Sequence, residues 1–151
     1  MSDDRTLVIT RELDAPRELV FAAWVDPAQA AQWWGPRGFT TVSNAMDVRV
    51  GGEWRRLTRS PEGTEHRSRG VYREIVAPER LVFTFAWEQG GSSGHGPETI
   101  VTVTFAELGR NRTQLMLQQR NFATVTGRDE HEIGWSSCLD RFTAYLAGKI
   151  R

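Results

Sequence analysis

The chain has 151 residues, enough for one domain built around a single hydrophobic core. Nineteen Lys and Arg residues balance nineteen Asp and Glu residues, and this net charge of zero excludes the overall basic surface of a typical nucleic-acid-binding domain. Hydrophobic residues (39%) and charged residues (25%) occur in the proportions of a globular rather than a disordered protein.

Cysteine content and the N-terminal sequence bear on the compartment in which the protein works. Cys138 is the single cysteine, so no internal disulfide can form, which fits the reducing cytosol. Residues 1–10 have neither the basic start nor the apolar run of a signal peptide, and eighteen apolar residues never stand together. We therefore expect a cytoplasmic protein whose partners include no membrane and no nucleic acid.

A strand and a first short helix are predicted at the start of the chain. Residues 6–13 have the composition of a strand. Residues 14–24 carry an apolar stripe at helical spacing, with Pro16 in the first turn and Asp14 or Ala15 near the N-cap. The chain therefore changes from strand to helix within a few residues.

A second short helix is predicted in residues 26–36. Asp26 is the expected N-cap, and a Gly-Pro pair ends the helix. Trp33 and Trp34 would point about 100° apart on this helix. One of them can then face inward while the other covers the entrance, although Trp33 could also simply pack on the first helix.

A series of antiparallel strands follows, each with one face toward a core and one toward water. Turn signals rich in Gly and Pro separate these strands. The predicted strands are residues 39–50, 53–60, 67–76, 80–88, 98–108 and 112–121.

A long helix ends the chain. Thr126 and Asp129 resemble a capping box, and apolar residues recur at three- and four-residue spacing from Trp135 to Leu146. Cys138 lies on this apolar side. Because such a face must be buried, we expect an α+β fold in which the sheet curls around the helix.

Four segments together resemble a known family: residues 15–39, 46–55, 70–85 and 133–146. In this order they are similar to the Activator-of-Hsp90-ATPase-homologue-1-like branch of the START-like (SRPBCC, Bet v 1-like) superfamily. The resemblance implies one domain, residues 1–151, with the helix-grip fold. In that fold a curved seven-stranded antiparallel sheet with two short helices after strand 1 wraps a long C-terminal helix, typically enclosing an apolar cavity.

Such a cavity would accept a small apolar molecule. Its expected lining consists of large apolar side chains: Trp34, Phe39, Trp54, Phe83, Phe85, Trp87, Leu115, Leu117, Trp135 and Leu139. The alternative is that these side chains pack against one another as a solid core. The glycine-rich residues 88–98 would form a flexible connection, or a lid over the mouth of the cavity.

Three residues are weak candidates for catalysis. By strand alternation Glu74 would point inward, where its carboxylate needs a partner such as Arg56. His131 lies one helical turn before Trp135 and would reach the edge of the cavity, although a histidine at a helix end is more often a surface residue.

The remaining charged residues suggest structural roles. Asp47 and Arg49 are placed to pair with each other. His66 and His95 lie in turn-like segments without metal-ligand spacing, so we expect no metal, and no fingerprint of a nucleotide cofactor occurs. A local excess of arginine is typical of a solvated strand face paired with Glu, rather than of a phosphate site: Arg55, Arg56, Arg59, Arg67, Arg69 and Arg73.

Three functions remain open at this point. The first is a carrier or sensor of a small apolar molecule. The second is an enzyme of the polyketide-cyclase or hydrolase type, using Glu74, Arg56 or His131. The third is a co-chaperone, but the eukaryotic activators carry an additional N-terminal domain that contacts the chaperone. This chain starts almost directly at the first predicted strand, which argues against an Hsp90-type partner; exposed strand edges would permit a homodimer.

Overall fold

The computed structural model describes residues 5–88 and 98–149, which form a seven-stranded sheet and three helices. The predicted loop of residues 88–98, including His95, lies outside the described residues except for its two ends. In chain order the elements are β1 (Leu7–Leu13), α1 (Arg17–Val25), α2 (Pro27–Trp33), β2 (Thr40–Met46), β3 (Glu53–Arg59), β4 (Glu65–Val76), β5 (Arg80–Trp87), β6 (Thr99–Gly109), β7 (Arg112–Arg120) and α3 (Val125–Lys149).

The sheet has the strand order β1-β7-β6-β5-β4-β3-β2, and all neighbouring strands are antiparallel. It curves around α3, with β1 and β2 at its two edges. Alternate residues face the core, as in β6, where Val101, Val103 and Phe105 are at most 1% exposed. This arrangement confirms the predicted α+β helix-grip fold.

The two short helices begin in different ways. Asp26 caps α2 as predicted, because its side chain accepts a hydrogen bond from the N–H of Ala28 at 3.0 Å. In α1 the N-cap is Pro16, which has extended backbone angles and makes no side-chain cap bond. Asp14 and Ala15 are near the N-cap, as predicted, but Pro16, which we expected in the first turn, is itself the N-cap.

The tryptophan pair stands at the point where α2 ends. Trp33 is the last helical residue, whereas Trp34 is the C-cap with extended angles (φ −69°, ψ 142°). Because the backbone changes conformation between these residues, the predicted helical rotation of about 100° does not apply, and the two indole centroids lie 5.6 Å apart. Trp33 is fully buried, 4.8 Å from the ring of Trp24, and its indole N–H donates to the carbonyl oxygen of Ala23 at 3.2 Å. It packs on α1.

The long helix α3 starts earlier than predicted. The N–H of Gly127 donates to the side-chain oxygen of Thr124 at 3.0 Å, so Thr124 is the capping residue and Thr126 lies inside the helix. With 25 residues α3 is about 37 Å long. Cys138 and Phe142 are among the buried residues of its apolar face, and Phe142 packs on Trp24 and Trp33 of the two short helices.

A bulge in β4 makes the expectation for Glu74 wrong. Tyr72 pairs with Phe83, but the register then shifts and Glu74 pairs with Val82. The bulge moves the following residues to the opposite face. Tyr72 is buried, whereas the Glu74 side chain is 46% exposed and forms an ion pair with Arg80 at 3.0 Å. Glu74 therefore lies on the outer surface.

Several of the surface arginines form ion pairs, as expected. The pairs are Arg55 with Glu88 at 2.6 Å, Arg59 with Glu65 at 3.0 Å, and Arg49 with Asp47 at 2.9 Å. Arg56 instead is only 4% exposed, because it follows Trp54 at the next inward position of β3. Among the described helices, none combines the length and apolarity needed to cross a membrane.

Candidate functional site

A cavity of about 420 Å³ opens between α3, the segment of residues 34–39 and the strands β3 to β5. Its surface is mainly aromatic and aliphatic. The residues that line this main cavity are Trp34, Gly35, Pro36, Phe39, Thr58, His66, Ser68, Phe85, Trp87, Glu130, His131, Gly134, Trp135 and Cys138.

Arg141 on α3 holds the 34–39 segment in place. Its Nη1 donates to the carbonyl oxygens of Trp34, Gly35, Pro36 and Phe39 at 3.0 to 3.2 Å. The positive φ of 92° at Gly35 allows the chain to turn so that these carbonyl groups converge. One cation thus fixes the wall that carries Trp34 and Phe39.

His131 reaches the main cavity from α3, as predicted. Its ring packs on Phe85, Trp87 and Phe122, with centroid distances of 5.0 to 5.9 Å. The indole N–H of Trp87 donates to Nε2 of His131 at 3.0 Å. Burial lowers the pKa of His131 to about 4, so the imidazole is neutral near pH 7 and carries its proton on Nδ1.

His66 is a second histidine close to Trp87. It lies in β4 rather than in a turn, and its ring is 6.1 Å from Trp87 and 5.6 Å from Phe39. Strand alternation places Ser68 on the same face, where it is also buried. The main cavity therefore has aromatic walls with a few polar groups between them.

Cys138 also lines the main cavity, but as an unreactive thiol. Its side chain is buried, and burial raises its pKa to about 12. Its Sγ lies 3.7 Å from the carbonyl oxygen of Trp33, to which the thiol donates. The protonated sulfur serves as a small apolar surface.

A second, small cavity of about 10 Å³ lies beside Arg56. The Arg56 Cζ is 3.8 Å from the centroid of Trp34 and 5.0 Å from that of Trp54, and Nε donates to the Asn44 side-chain oxygen at 3.0 Å. Burial lowers the pKa of Arg56 to about 10, so it remains charged at neutral pH. The residues that line this small cavity are Trp24, Trp34, Trp54, Arg56, Tyr72, Leu81 and Phe83.

The structure divides the expected lining residues into three groups. Those at the main cavity are Trp34, Phe39, Phe85, Trp87 and Trp135, together with the candidate His131. Trp54, Phe83 and the candidate Arg56 border the small cavity instead. Leu115, Leu117 and Leu139 are at most 1% exposed within the core and line neither cavity, and the candidate Glu74 lies outside.

Several lining residues were missed from the sequence. Thr58 could have been found, because it follows Trp54 and Arg56 on the inward face of β3. Gly134 and Cys138 adjoin Trp135 on α3. Within residues 5–88 and 98–149, no three His, Cys, Asp or Glu side chains come together as a group that could hold a metal ion.

The comparisons with known proteins agree with this architecture. The family model described as "Activator of Hsp90 ATPase homolog 1-like protein" matches residues 14–147. A comparison with curated proteins found no match.

Solved structures provide close structural neighbours. A protein from Chromobacterium violaceum is 28% identical with a TM-score of 0.84, and the match covers 94% of this chain and 96% of that one. A protein from Silicibacter pomeroyi, named after the same family, is 27% identical with a TM-score of 0.84, covering 95% and 99%. A protein from Nitrosomonas europaea at 20% identity shares the fold, with a TM-score of 0.81 and coverage of 99% and 98%.

Proposed function

Because the chain belongs to the Activator of Hsp90 ATPase homolog 1-like family, whose START-like fold is compatible with ligand binding, we propose that it binds a small hydrophobic molecule in the main cavity. The observation that carries this proposal is the cavity itself, about 420 Å³ with mainly aromatic walls. Cavities of this size are typical of small-molecule sites. The protein would then act as a carrier or sensor.

The walls favour an aromatic or aliphatic guest. Burial of apolar ligand surface contributes about 2.5 kcal/mol for each 100 Å² removed from water. Phe85 and Trp135 offer ring faces and edges for such contacts. Burial of the apolar surface of a naphthalene-sized guest would therefore supply most of the binding free energy, against which the cost of association is set.

Polar groups at the wall would orient the guest. The neutral imidazole of His131 uses Nε2 to accept from Trp87, which leaves the N–H at Nδ1 as a donor. The hydroxyl groups of Thr58 and Ser68 line the same cavity. We expect the guest to carry a hydrogen-bond acceptor that one of these groups can reach.

An enzyme of the polyketide-cyclase or hydrolase type is the second candidate. It now depends on His131, because Glu74 lies on the outer surface and Arg56 borders only the small cavity. The lone pair of His131 at Nε2 is engaged by Trp87, so the imidazole is better suited to donate a hydrogen bond than to remove a proton. This arrangement favours binding over acid–base catalysis.

Filling the main cavity tests the proposal. Gly134 lies on its wall, and a Cβ there would meet only Pro36 Cγ, at 3.9 Å. We expect Gly134→Leu to place its side chain in the cavity and to weaken binding of the neutral fluorescent probe N-phenyl-1-naphthylamine at least tenfold. The measurement is probe fluorescence during titration with protein.

Gly148→Leu is the matched control, because Gly148 is also on α3 but has nothing within 4 Å of an added Cβ. Both substitutions remove a helical glycine, which favours the helix by up to about 1 kcal/mol. Loss of binding in both variants, or in neither, would contradict the cavity as the binding site. If the fluorescence of the probe does not rise on addition of the wild-type protein, the proposed function is wrong.

A further inference from the structure

The small cavity beside Arg56 is surrounded by hydrogen-bond donors. Arg56 is 4% exposed and carries a full positive charge. The indole N–H of Trp24 is buried and has no hydrogen-bond partner among the described residues, and Trp24 lines the same cavity. The hydroxyl of Tyr72, a third lining residue, can also donate. Three hydrogen-bond donors, one of them positively charged, would together bind a negatively charged hydrogen-bond acceptor.

The charge of Arg56 has no counter-ion in the part of the chain that the structure describes. Its contacts there are two indole faces, the Asn44 amide oxygen and the Met46 sulfur at 3.5 Å. A buried cation costs several kcal/mol unless it is paired. Cation–π contacts offset only part of that cost. A buried, unpaired guanidinium is therefore a candidate for ligand recognition.

The small cavity and the main cavity share a lining residue. Trp34 is the only described residue that lines both. Its indole borders the main cavity and also lies against the guanidinium of Arg56, whose Cζ is 3.8 Å from the ring centroid. At about 10 Å³ the small cavity has room for one water molecule. A larger group could enter if Trp34 moved aside.

We propose that the guest of the main cavity is a hydrophobic carboxylate whose acidic group displaces this indole and binds in the small cavity against Arg56 and Trp24. The inference rests on the proposed function and extends it to a ligand class. A carboxylate accepts two hydrogen bonds from a guanidinium and neutralises its charge. The hydrophobic part of the ligand would remain between Phe85 and Trp135.

The test compares two probes of similar size and shape, the anionic 1-naphthaleneacetic acid and the neutral 1-naphthaleneacetamide, by calorimetric titration at pH 7. A charge-assisted hydrogen bond in a buried site predicts that the wild-type protein binds the carboxylate at least about tenfold more tightly. In Arg56→Met we expect the two affinities to agree within about twofold, because the carboxylate then loses its charged partner. Trp24→Phe, which keeps an aromatic ring but removes the N–H, is expected to reduce the preference about threefold.

Arg55→Met is the control, because Arg55 is the exposed neighbour on the same strand and pairs with Glu88. It should keep the wild-type preference, and Arg56→Lys should retain part of it. Equal affinity of the wild-type protein for both probes, or a preference that survives in Arg56→Met, overturns this inference. The neutral N-phenyl-1-naphthylamine distinguishes the two proposals. If the protein binds this probe but shows no preference for the carboxylate over the amide, the proposed ligand class is wrong while the proposed binding function stands.

Thermal unfolding provides a second readout for Arg56→Met. Replacing an unpaired buried cation with an apolar chain of similar length should leave the melting temperature unchanged or raise it. A higher melting temperature of Arg56→Met together with equal affinity for the two probes supports a role of Arg56 in ligand binding. A lower melting temperature together with an unchanged preference for the carboxylate contradicts that role.

Discussion

His131 shows how a single side chain depends on its surroundings. Three aromatic rings enclose it, and Trp87 donates a hydrogen bond to its unprotonated nitrogen. Burial lowers its pKa from the usual 6.5 to about 4. The folded protein therefore binds a proton at this site less readily than the unfolded chain does.

Acid should consequently destabilise the protein through His131. The stability that the low pKa of His131 provides is complete above about pH 6.5, where the histidine is neutral in both the folded and the unfolded state. It is lost as the pH falls toward 4, where the folded state also takes up the proton. The free energy of unfolding should fall by on the order of 3 kcal/mol over this range, relative to His131→Gln. Urea unfolding at several pH values measures the difference. Parallel pH profiles for the two proteins would rule out this role of His131.

At the scale of elements, the contact between α3 and the 34–39 segment is made chiefly by Arg141. Its guanidinium also donates through Nη2 to the carbonyl oxygen of Gln32 at 3.3 Å. The side chain thereby satisfies carbonyl groups at the end of α2, where the helix leaves them without partners. The same contacts fix one wall of the main cavity.

Removing this cation should loosen the wall. For Arg141→Met we expect a loss of about 2–3 kcal/mol in the free energy of unfolding, because several carbonyl groups lose a charged donor at once. Probe affinity should fall as well. Asp140→Ala is the neighbouring control, since it removes only the surface pair with Arg11, worth less than about 1 kcal/mol. If both variants lose the same free energy of unfolding, the hydrogen bonds of Arg141 contribute no more to stability than a surface ion pair.

Local patterns were sufficient to predict the type and order of the elements. Alternation indicated the strands, and Asp26-Pro27 indicated the start of α2. The bulge after Tyr72 was missed. One extra residue turns the Glu74 side chain to the opposite face of the sheet, but it leaves no signal in the residue types of the strand. Thr124 and Thr126 offer the same capping chemistry two residues apart, so the sequence alone could not choose between them.

The site was harder to predict than the fold for a related reason. Arg141 binds backbone carbonyl groups, which every residue has, so no side-chain pattern indicates its partners. Whether large apolar residues line a space or fill it depends on their packing. Phe85 and Leu117 look alike in the strand pattern, yet only Phe85 reaches the main cavity.

At the scale of the whole molecule, the main cavity is assembled from parts of the chain that are far apart in sequence. Its walls come from the 34–39 segment, from β3 to β5, and from α3. No single element contains the site, so it exists only when the sheet and the long helix are packed together. A guest that binds this assembled state must stabilise it against unfolding.

Ligand binding should therefore raise the melting temperature. At a free probe concentration ten times the Kd, linkage predicts about 1.4 kcal/mol of stabilisation, or a shift of about 3–5 °C for a domain of this size. Differential scanning calorimetry with N-phenyl-1-naphthylamine measures the shift. At the same probe concentration Gly134→Leu should show a shift of at most about 1 °C, because its Kd is at least tenfold higher. An equal shift in that variant would mean that the probe binds elsewhere.

The position of Cys138 has a practical consequence. The Cys138 thiol is buried on the wall of the main cavity and held in its protonated form, so alkylating reagents should react with it slowly. A reagent has to enter the main cavity to reach this sulfur, and its rate of alkylation therefore reports how freely small molecules enter, without any engineered label. A guest that occupies the main cavity should slow this reaction.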